Sequence, residues 1–518
     1  MAKIIPTDVV RTYKDIHTWV GIISGVALFV AFYAGAITMF EEPLQRWASR
    51  PAEIAAPPSL AQTPELVAKT IAARPEAAKE HQIILATGPE QPARMTWHVE
   101  GPGGHDDVVH YASSLGPDGA LQVIRREPAA VAEFVDVLHQ QVGLPFPHEV
   151  SMPIMGAVSL LYAIALVSGV IVLLPSLVKD LFILRTGKNL KRMWLDVHNV
   201  LGVFSLPFHV VMALTAVVFA FHDQFYDAQE AAFRGDVRAA SAPAKPRPET
   251  GPLPPEQIVR LLAEQAPGIT PTMLSYAERG GTLTLRVAGT DPRHGLRAPT
   301  TGLAGVDPYT GEIIARDYLP GHQDGWSATL TSFFALHFGN FGGDAVRWGY
   351  VLLGLSGAFL FYSGNLLWIE SRRRRERKAG AVVQSRSVRM MGSLSVGVAL
   401  GSIAGISLTV AATKWLPQGI DLAAWHSGIY YAVFLGAIGW AFARGAARAS
   451  VELLALSAFT TLLIPISSLA GGWNHAGTTL LVDVVALCGA VIFAAMAWMT
   501  RRRARLGPAD SVWSAVRV

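Results

Sequence analysis

Eight long apolar runs separated by polar stretches dominate the chain, at about residues 16–40, 151–174, 194–221, 345–369, 391–412, 424–443, 450–470 and 480–500. A helix needs roughly 20 apolar residues to cross the hydrocarbon core of a bilayer, and each run comes close to that length or exceeds it. Lys3, Arg11 and Lys14 precede the first run, and Ala34-Gly35-Ala36 mimics a signal-peptide cleavage site. The run is nevertheless longer than the ~7–15-residue apolar core of such a peptide, which predicts a retained first helix.

Two of the polar stretches carry a different pattern. Residues 64–71 (PELVAKTI) and 255–262 (PEQIVRLL) each predict a short amphipathic helix. Alternating strand-like runs follow each, and each set ends in a turn and a strand. The first is Gly116-Pro117-Asp118-Gly119 leading into Leu121–Arg125; the second is Asp307-Pro308-Tyr309-Thr310-Gly311 leading into Glu312–Arg316. Asp/Gly turns flanked by β-branched residues are hairpin signals. The prediction is a membrane all-α helical bundle of about eight transmembrane helices carrying two small α+β domains. Its divisions are a first helix (1–40), an α+β domain (41–150), two helices with a basic connection (151–221), a second α+β domain (222–344), a fourth helix with a basic end (345–378), a four-helix membrane unit (391–500) and a tail (501–518). The Pro/Ala/Lys-rich stretch Ser241–Pro254 predicts a flexible linker.

Composition agrees with a lipid solvent: 51% of the residues are hydrophobic and 16% charged, where a soluble domain carries about 25% charge. A pI of about 9.1 would suit nucleic acid, but the cations sit beside apolar runs. Lys179, Arg185, Lys188, Lys191 and Arg192 lie between the second and third runs. Arg372–Arg375, Arg377 and Lys378 follow the fourth, Arg444 and Arg448 the sixth, and Arg501–Arg503 the eighth. Cytoplasmic loops are enriched in Lys and Arg, and one parity satisfies every cluster: both termini inside, both α+β domains outside. Nucleic acid is therefore not expected as a partner. The lone cysteine, Cys488, rules out intrachain disulfides, thiolate zinc sites and cysteine-held iron–sulfur clusters. No glycine-rich phosphate loop follows a strand, which argues against NAD or nucleotide chemistry.

The chain is internally duplicated. The first run opens Asp15-Ile16-His17-Thr18-Trp19-Val20-Gly21 and the third Asp196-Val197-His198-Asn199-Val200-Leu201-Gly202. Leu-His pairs, Leu138-His139 and Leu336-His337, precede the second and fourth runs. Repeats of one membrane orientation are related by a pseudo-two-fold axis along the membrane normal. That axis predicts His17 opposite His198 near the inner face, and His139 opposite His337 near the outer. A histidine at a helix end is ordinarily an interfacial residue; the repeat relation is what sets these four apart. Facing imidazoles can ligate one haem iron axially. Gly21 and Gly202, four residues beyond each inner histidine, would leave room for a porphyrin, and Lys14, Arg11, Lys191 and Arg192 would offer countercharge to propionates. Gly143 stands four residues after His139, whereas Gly339, Gly342 and Gly343 break that spacing after His337. His209 lies near mid-membrane, eleven residues or about three turns beyond His198, on nearly the same face of a straight helix. An ionisable residue at that depth is a functional candidate, either as a replacement ligand or as a proton relay. His148, His222, His426 and His475 are expected at interfaces, and His81, His98, His105, His110, His294 and His322 in solvent. The tryptophans at run ends, Trp47 and Trp473 among them, are expected as interface anchors. Asp483 is expected to pair with a base or to sit at the interface.

These helix starts, the Leu-His pairs, the V-D-P-Y-T-G-E-I-I turn and Leu367-Trp368 before a run of arginines resemble the PepSY-associated transmembrane family over about residues 10–378. The family includes iron-regulated inner-membrane proteins and siderophore reductases. The resemblance implies that the two outside segments are PepSY domains in the periplasm and that the chain sits in a bacterial inner membrane. It further implies a b-type dihaem protein, with haem b held by His17, His198, His139 and His337, that reduces a ferric siderophore or other ferric chelate and releases Fe(II). The electron donor, a quinol or a cytoplasmic flavoprotein or reductase, is left open, as is the role of the last four helices. The competing readings are a non-redox metal-uptake accessory or permease, and a periplasmic binding or regulatory protein acting through its PepSY domains.

Overall fold

The computed structural model describes residues 6–88, 91–101, 104–126, 129–177, 185, 189–222, 251–298, 301–380, 383–417, 419–473, 477–508 and 510–515. Lys179, Lys188, His475 and most of the Ser241–Pro254 stretch lie outside them. The chain divides into two compact units. One comprises Met1–Arg50, Ala129–Tyr226 and Trp348–Val518; the other comprises Pro51–Pro128 and Asp227–Arg347.

The first unit is helical. Its long apolar helices are α1 (Thr7–Thr38), α5 (His148–Leu173), α10 (Gly343–Lys378, whose first turn belongs to the other unit), α11 (Arg386–Thr413), α12 (Leu422–Arg444), α13 (Ala446–Gly471) and α14 (Thr478–Leu506). Seven such helices among the described residues are long and apolar enough to span a bilayer, and a bent pair brings the number to eight. That pair is α6 (Leu190–Phe204) and α7 (Leu206–Ala220), which meet at 70°. The straight third helix expected over 194–221 is therefore broken. Pro207 is the physical reason: it has no N–H to donate to the preceding turn, and its ring crowds the carbonyl four residues back. Ser205 closes α6 and opens α7.

Two short amphipathic helices complete this unit, α2 (Glu41–Ala48) and α4 (Val131–Gln140). They pack side by side, with Leu44, Trp47, Val131, Phe134, Val135 and Leu138 buried against Ile406, Val410, Tyr430, Ile464 and Ala486 of the last four helices. Trp47 is an internal anchor rather than an interfacial one. It is fully buried, and its Nε1–H donates to Asp483 Oδ1 at 2.9 Å. Ser468 Oγ donates to the same carboxylate oxygen at 2.7 Å. Lys414 Nζ donates to Ser468 Oγ at 3.2 Å and stands 4.2 Å and 4.4 Å from the ring centroids of Trp47 and Trp473. Asp483 thus does find a base, through a serine hydroxyl. Central to the bundle is α11, with 83% of its apolar stretch buried against 11% for α14.

The second unit is a sheet with helices on it. The strands are β1 (Glu80–Ile84), β2 (Met95–Gly101), β3 (Gly104–Leu115), β4 (Leu121–Arg126), β5 (Thr270–Arg279), β6 (Thr282–Thr290), β7 (Gly302–Val306) and β8 (Ile313–Tyr318). The helices are α3 (Thr63–Ala73), α8 (Pro255–Gln265) and α9 (Gly325–Phe338). The two repeats expected as separate α+β pieces share one eight-stranded antiparallel sheet, ordered β4-β3-β2-β1-β5-β6-β7-β8. The equivalent strands β1 and β5 pair at its centre, from Glu80↔Ala277 to Ile84↔Met273. Antiparallel pairing of equivalent edge strands is self-complementary, and it removes two sticky edges at once. Leu66 of α3 and Ile258 and Leu262 of α8 cover the same core as Ile83, Met95, Trp97, Leu274, Leu285 and Val306. His81 belongs to this interior: it is 6% exposed, bonds Ala77 O through Nδ1 at 2.9 Å and stacks on Tyr276.

Candidate functional site

In the helical unit α1 and α6 bring His17 and His198 together, with ring centroids 6.1 Å apart and planes at 69°. Each ring is held from behind by the helix next to it. His17 Nδ1 bonds Ala165 O of α5 at 2.8 Å. His198 Nδ1 lies 3.2 Å from Ser363 Oγ of α10, and the ring is also hydrogen-bonded to the backbone of Leu360. A Cβ built on Gly169 would stand 2.9 Å from His17 Cε1, and one on Gly364 would stand 3.5 Å from His198 Cε1. The same spacing separates Ala165 from Leu360 and Gly169 from Gly364, so the duplication extends to the groups that hold the imidazoles. The Ser168-Gly169 and Ser363-Gly364 dipeptides were the sequence signal for this. Neither was singled out, because a Ser-Gly pair in an apolar run is unremarkable until its contacts are known.

A side chain at Gly21 would meet nothing within 4 Å, and one at Gly202 only Leu360 Cδ1 at 3.8 Å. Lys14, Arg374, Arg375 and Lys378 lie within electrostatic range of Lys191 at this end of the bundle. The acid of the second D-x-H motif is structural: buried Asp196 accepts from Arg185 Nε at 3.0 Å and lies 3.4 Å from Arg192 Nε.

His139, in the last turn of α4, is held in the same manner as His17. Its Nδ1 bonds Ala31 O of α1 at 2.8 Å, and a Cβ on Gly35 would approach that nitrogen to 2.7 Å. Gly143 has φ +72°, in the left-handed region that suits glycine, and a Cβ there would meet Val30 at 2.9 Å and the Tyr430 hydroxyl at 3.3 Å. His337 ends α9 in the sheet unit, its ring 5.7 Å from Phe338. The expected companions therefore belong to different compact units.

A family model described as a PepSY-associated TM region matches residues 15–371, well over half of the chain. The chain belongs to that family. No curated protein matches it. The match ends before α11, so the last four helices of this PepSY-associated protein lie beyond it.

His209 was expected on nearly the same face as His198, and the bend at Ser205–Pro207 breaks that relation. His209 is 1% exposed and enclosed by Phe32, Phe208 and Phe361, with ring centroids at 5.6, 5.8 and 6.2 Å. Tyr162 Oη lies 2.5 Å from His209 Nδ1 and donates to the His209 carbonyl oxygen at 3.2 Å. That arrangement lets Nδ1–H donate to the phenol oxygen, leaving Nε2 as a bare lone pair. Nε2 is buried with no hydrogen-bond partner among the described residues. Sequence reading missed Tyr162, whose role appears only through this contact. His426, expected at an interface, is fully buried in α12, where its Nε2 meets Thr413 Oγ1 at 3.1 Å.

Proposed function

We propose that this protein carries electrons across a bacterial cytoplasmic membrane through b-type haem and reduces ferric chelates, ferric siderophores among them, on the far side. One observation carries the reading: the His17 and His198 rings lie 6.1 Å apart, edge to face, with their Nδ1 atoms already engaged. A metal–imidazole bond is about 2 Å, so two such bonds and half a ring on either side span roughly 6 Å, close to the observed separation. Metal-bound histidines characteristically give their other nitrogen to a carbonyl or similar acceptor, which sets the tautomer and leaves Nε2 as the ligating atom. Ala165, Leu360 and Ser363 hold the rings in this way, while Gly21 and Gly202 keep the adjoining space free of side chains. Lys14 and Lys191, with the arginines of α10, supply positive charge where propionates need it. Bound between these residues, haem would supply a one-electron Fe(III)/Fe(II) couple.

By the repeat relation, His139 and His337 are assigned as the further haem ligands. His209, with its unshared Nε2, is the alternative ligand in the helical unit. The donor inside is a quinol or a cytoplasmic flavoprotein or reductase; each electron delivered outside converts one ferric ion to Fe(II). The parity of the basic clusters supports cytoplasmic termini and a periplasmic sheet unit built of two PepSY-like repeats.

The visible spectrum of the purified, folded protein tests the reading. The expected result is Soret and α bands that sharpen on dithionite reduction. A colourless folded protein would overturn it in favour of a non-redox uptake accessory or a regulatory protein. His17→Ala and His198→Ala are each expected to lower haem content by about half if two are bound. Unchanged content in both variants would remove the inner pair from the ligand set.

A further inference from the structure

The hairpin of β2 and β3 carries histidines that electron transfer leaves unused. Its register places His98 directly opposite His110, and β4 continues the row with Arg126 opposite His110. The two imidazole rings are exposed, with centroids 6.4 Å apart and planes at 51°. They lie on the face of the sheet away from the core, since Trp97 and Tyr111, the next residue along each strand, stack at 5.4 Å on the core side.

We propose that His98 and His110 form a two-imidazole binding site for a divalent transition-metal ion on the open face of the sheet. Directly opposed residues on antiparallel strands have Cβ atoms about 5 Å apart, which lets two imidazoles converge on one ion by small rotations of exposed side chains. Imidazole suits borderline ions such as Zn²⁺, Cu²⁺, Ni²⁺ and Fe²⁺, whereas Fe³⁺ bound in a chelate prefers oxygen. Two protein ligands leave the remaining positions to water. Partial burial, then His98, then Arg126 lower the proton affinity of His110. Arg126 opposes a bare cation through its charge, which makes the site weak and releasable rather than a structural clamp. The inference stands on the hairpin alone; it rests on the proposed function only in naming Fe²⁺, the ion that chelate reduction would deliver.

Titration calorimetry of the full chain in detergent, without a polyhistidine tag, using zinc chloride, tests the site. Both histidines are exposed, so their replacement is not expected to alter the melting curve. His98→Ala and His110→Ala should each weaken binding by about tenfold or more. Arg126→Gln should tighten it several-fold, and His322→Ala should leave it unchanged. Isotherms of His98→Ala and His110→Ala that superimpose on wild type, or no zinc binding in wild type, would overturn the proposal. Anaerobic Fe²⁺ titrated alone should bind more weakly than zinc and lose that binding in the same two variants; no Fe²⁺ binding removes Fe²⁺ as the occupant. A colourless protein that binds zinc through these residues would sink the haem reading and keep this one, and a haem-containing protein with no such binding would do the reverse.

Discussion

Two glycines of the duplicated part, beside His17 and His198, and the glycine row of α11 serve opposite purposes. In the duplicated part, Gly21 borders open space and Gly202 meets only Leu360 Cδ1 at 3.8 Å. Along α11, glycine lets backbones touch. Gly397, Gly401 and Gly405 recur at every fourth position of α11, and a Cβ on each would stand 2.8 Å from Ile438 Cα, 2.9 Å from Ala437 Cβ and 2.9 Å from Tyr430 Cδ2. Helices in lipid gain little from hiding apolar surface from one another, so close packing of small residues is what holds them. The difference teaches that one residue type at one helical spacing marks a space to be filled in one place and a space already filled in another. It also gives the last helices a role: they form a dense support into which Trp47 of α2 and Phe134 of α4 are set, and α4 carries His139.

The largest test of that contrast is Asp483→Ala. It strips Trp47 Nε1 and Ser468 of their acceptor and leaves the Lys414 ammonium without a nearby carboxylate. Loss of one member of a buried charged network costs about 3–5 kcal/mol, so thermal melting in detergent should show a markedly less stable bundle. A melting point equal to wild type would mean that the network does not hold α2. Next in size, Gly401→Ala should cost about 1–3 kcal/mol, the range for overpacking a filled interior. Gly21→Ala should do the opposite: with nothing to strike, alanine's helical preference adds at most about 1 kcal/mol of stability. Equal shifts at positions 21 and 401 would erase the comparison. The smallest effect on stability is expected from Gly21→Leu, whose melting curve should stay near that of the wild type while the ratio of haem to protein falls. Haem content that survives this bulky side chain would show that the open space beside His17 is not where a porphyrin lies.

Much of the architecture was legible along the chain because lipid imposes a coarse rule. Every spanning segment must be long, apolar and helical, and the eight runs fall on the helices observed. The duplication was legible in the same direct way, through D-x-H-x-x-x-G and the two PE-headed helices. His17 and His198 could be named because each stands at the same place in its repeat. What held them could not, since Ala165 and Leu360 act through backbone carbonyls that any residue possesses. The 70° bend was in principle readable at Pro207, yet proline is tolerated in membrane helices, and its presence does not state an angle. His426 and Trp47 were misplaced for one shared reason: position at the end of an apolar run predicts an interface only when no other element covers it; His81, expected in solvent, is covered by Tyr276 and the sheet core.

Sequence alone determined the number and approximate length of the apolar helices, the repeat and where the basic clusters fall along the chain, because each is a property of composition at fixed spacing. Tertiary structure alone decided that the two α+β repeats join through β1 and β5 into one sheet, that His209 answers to Tyr162 rather than to His198, and that Lys414 lies between two indoles. These depend on contacts between residues distant in sequence, whose energies vary with a few tenths of an ångström of packing and leave no periodic trace along the chain.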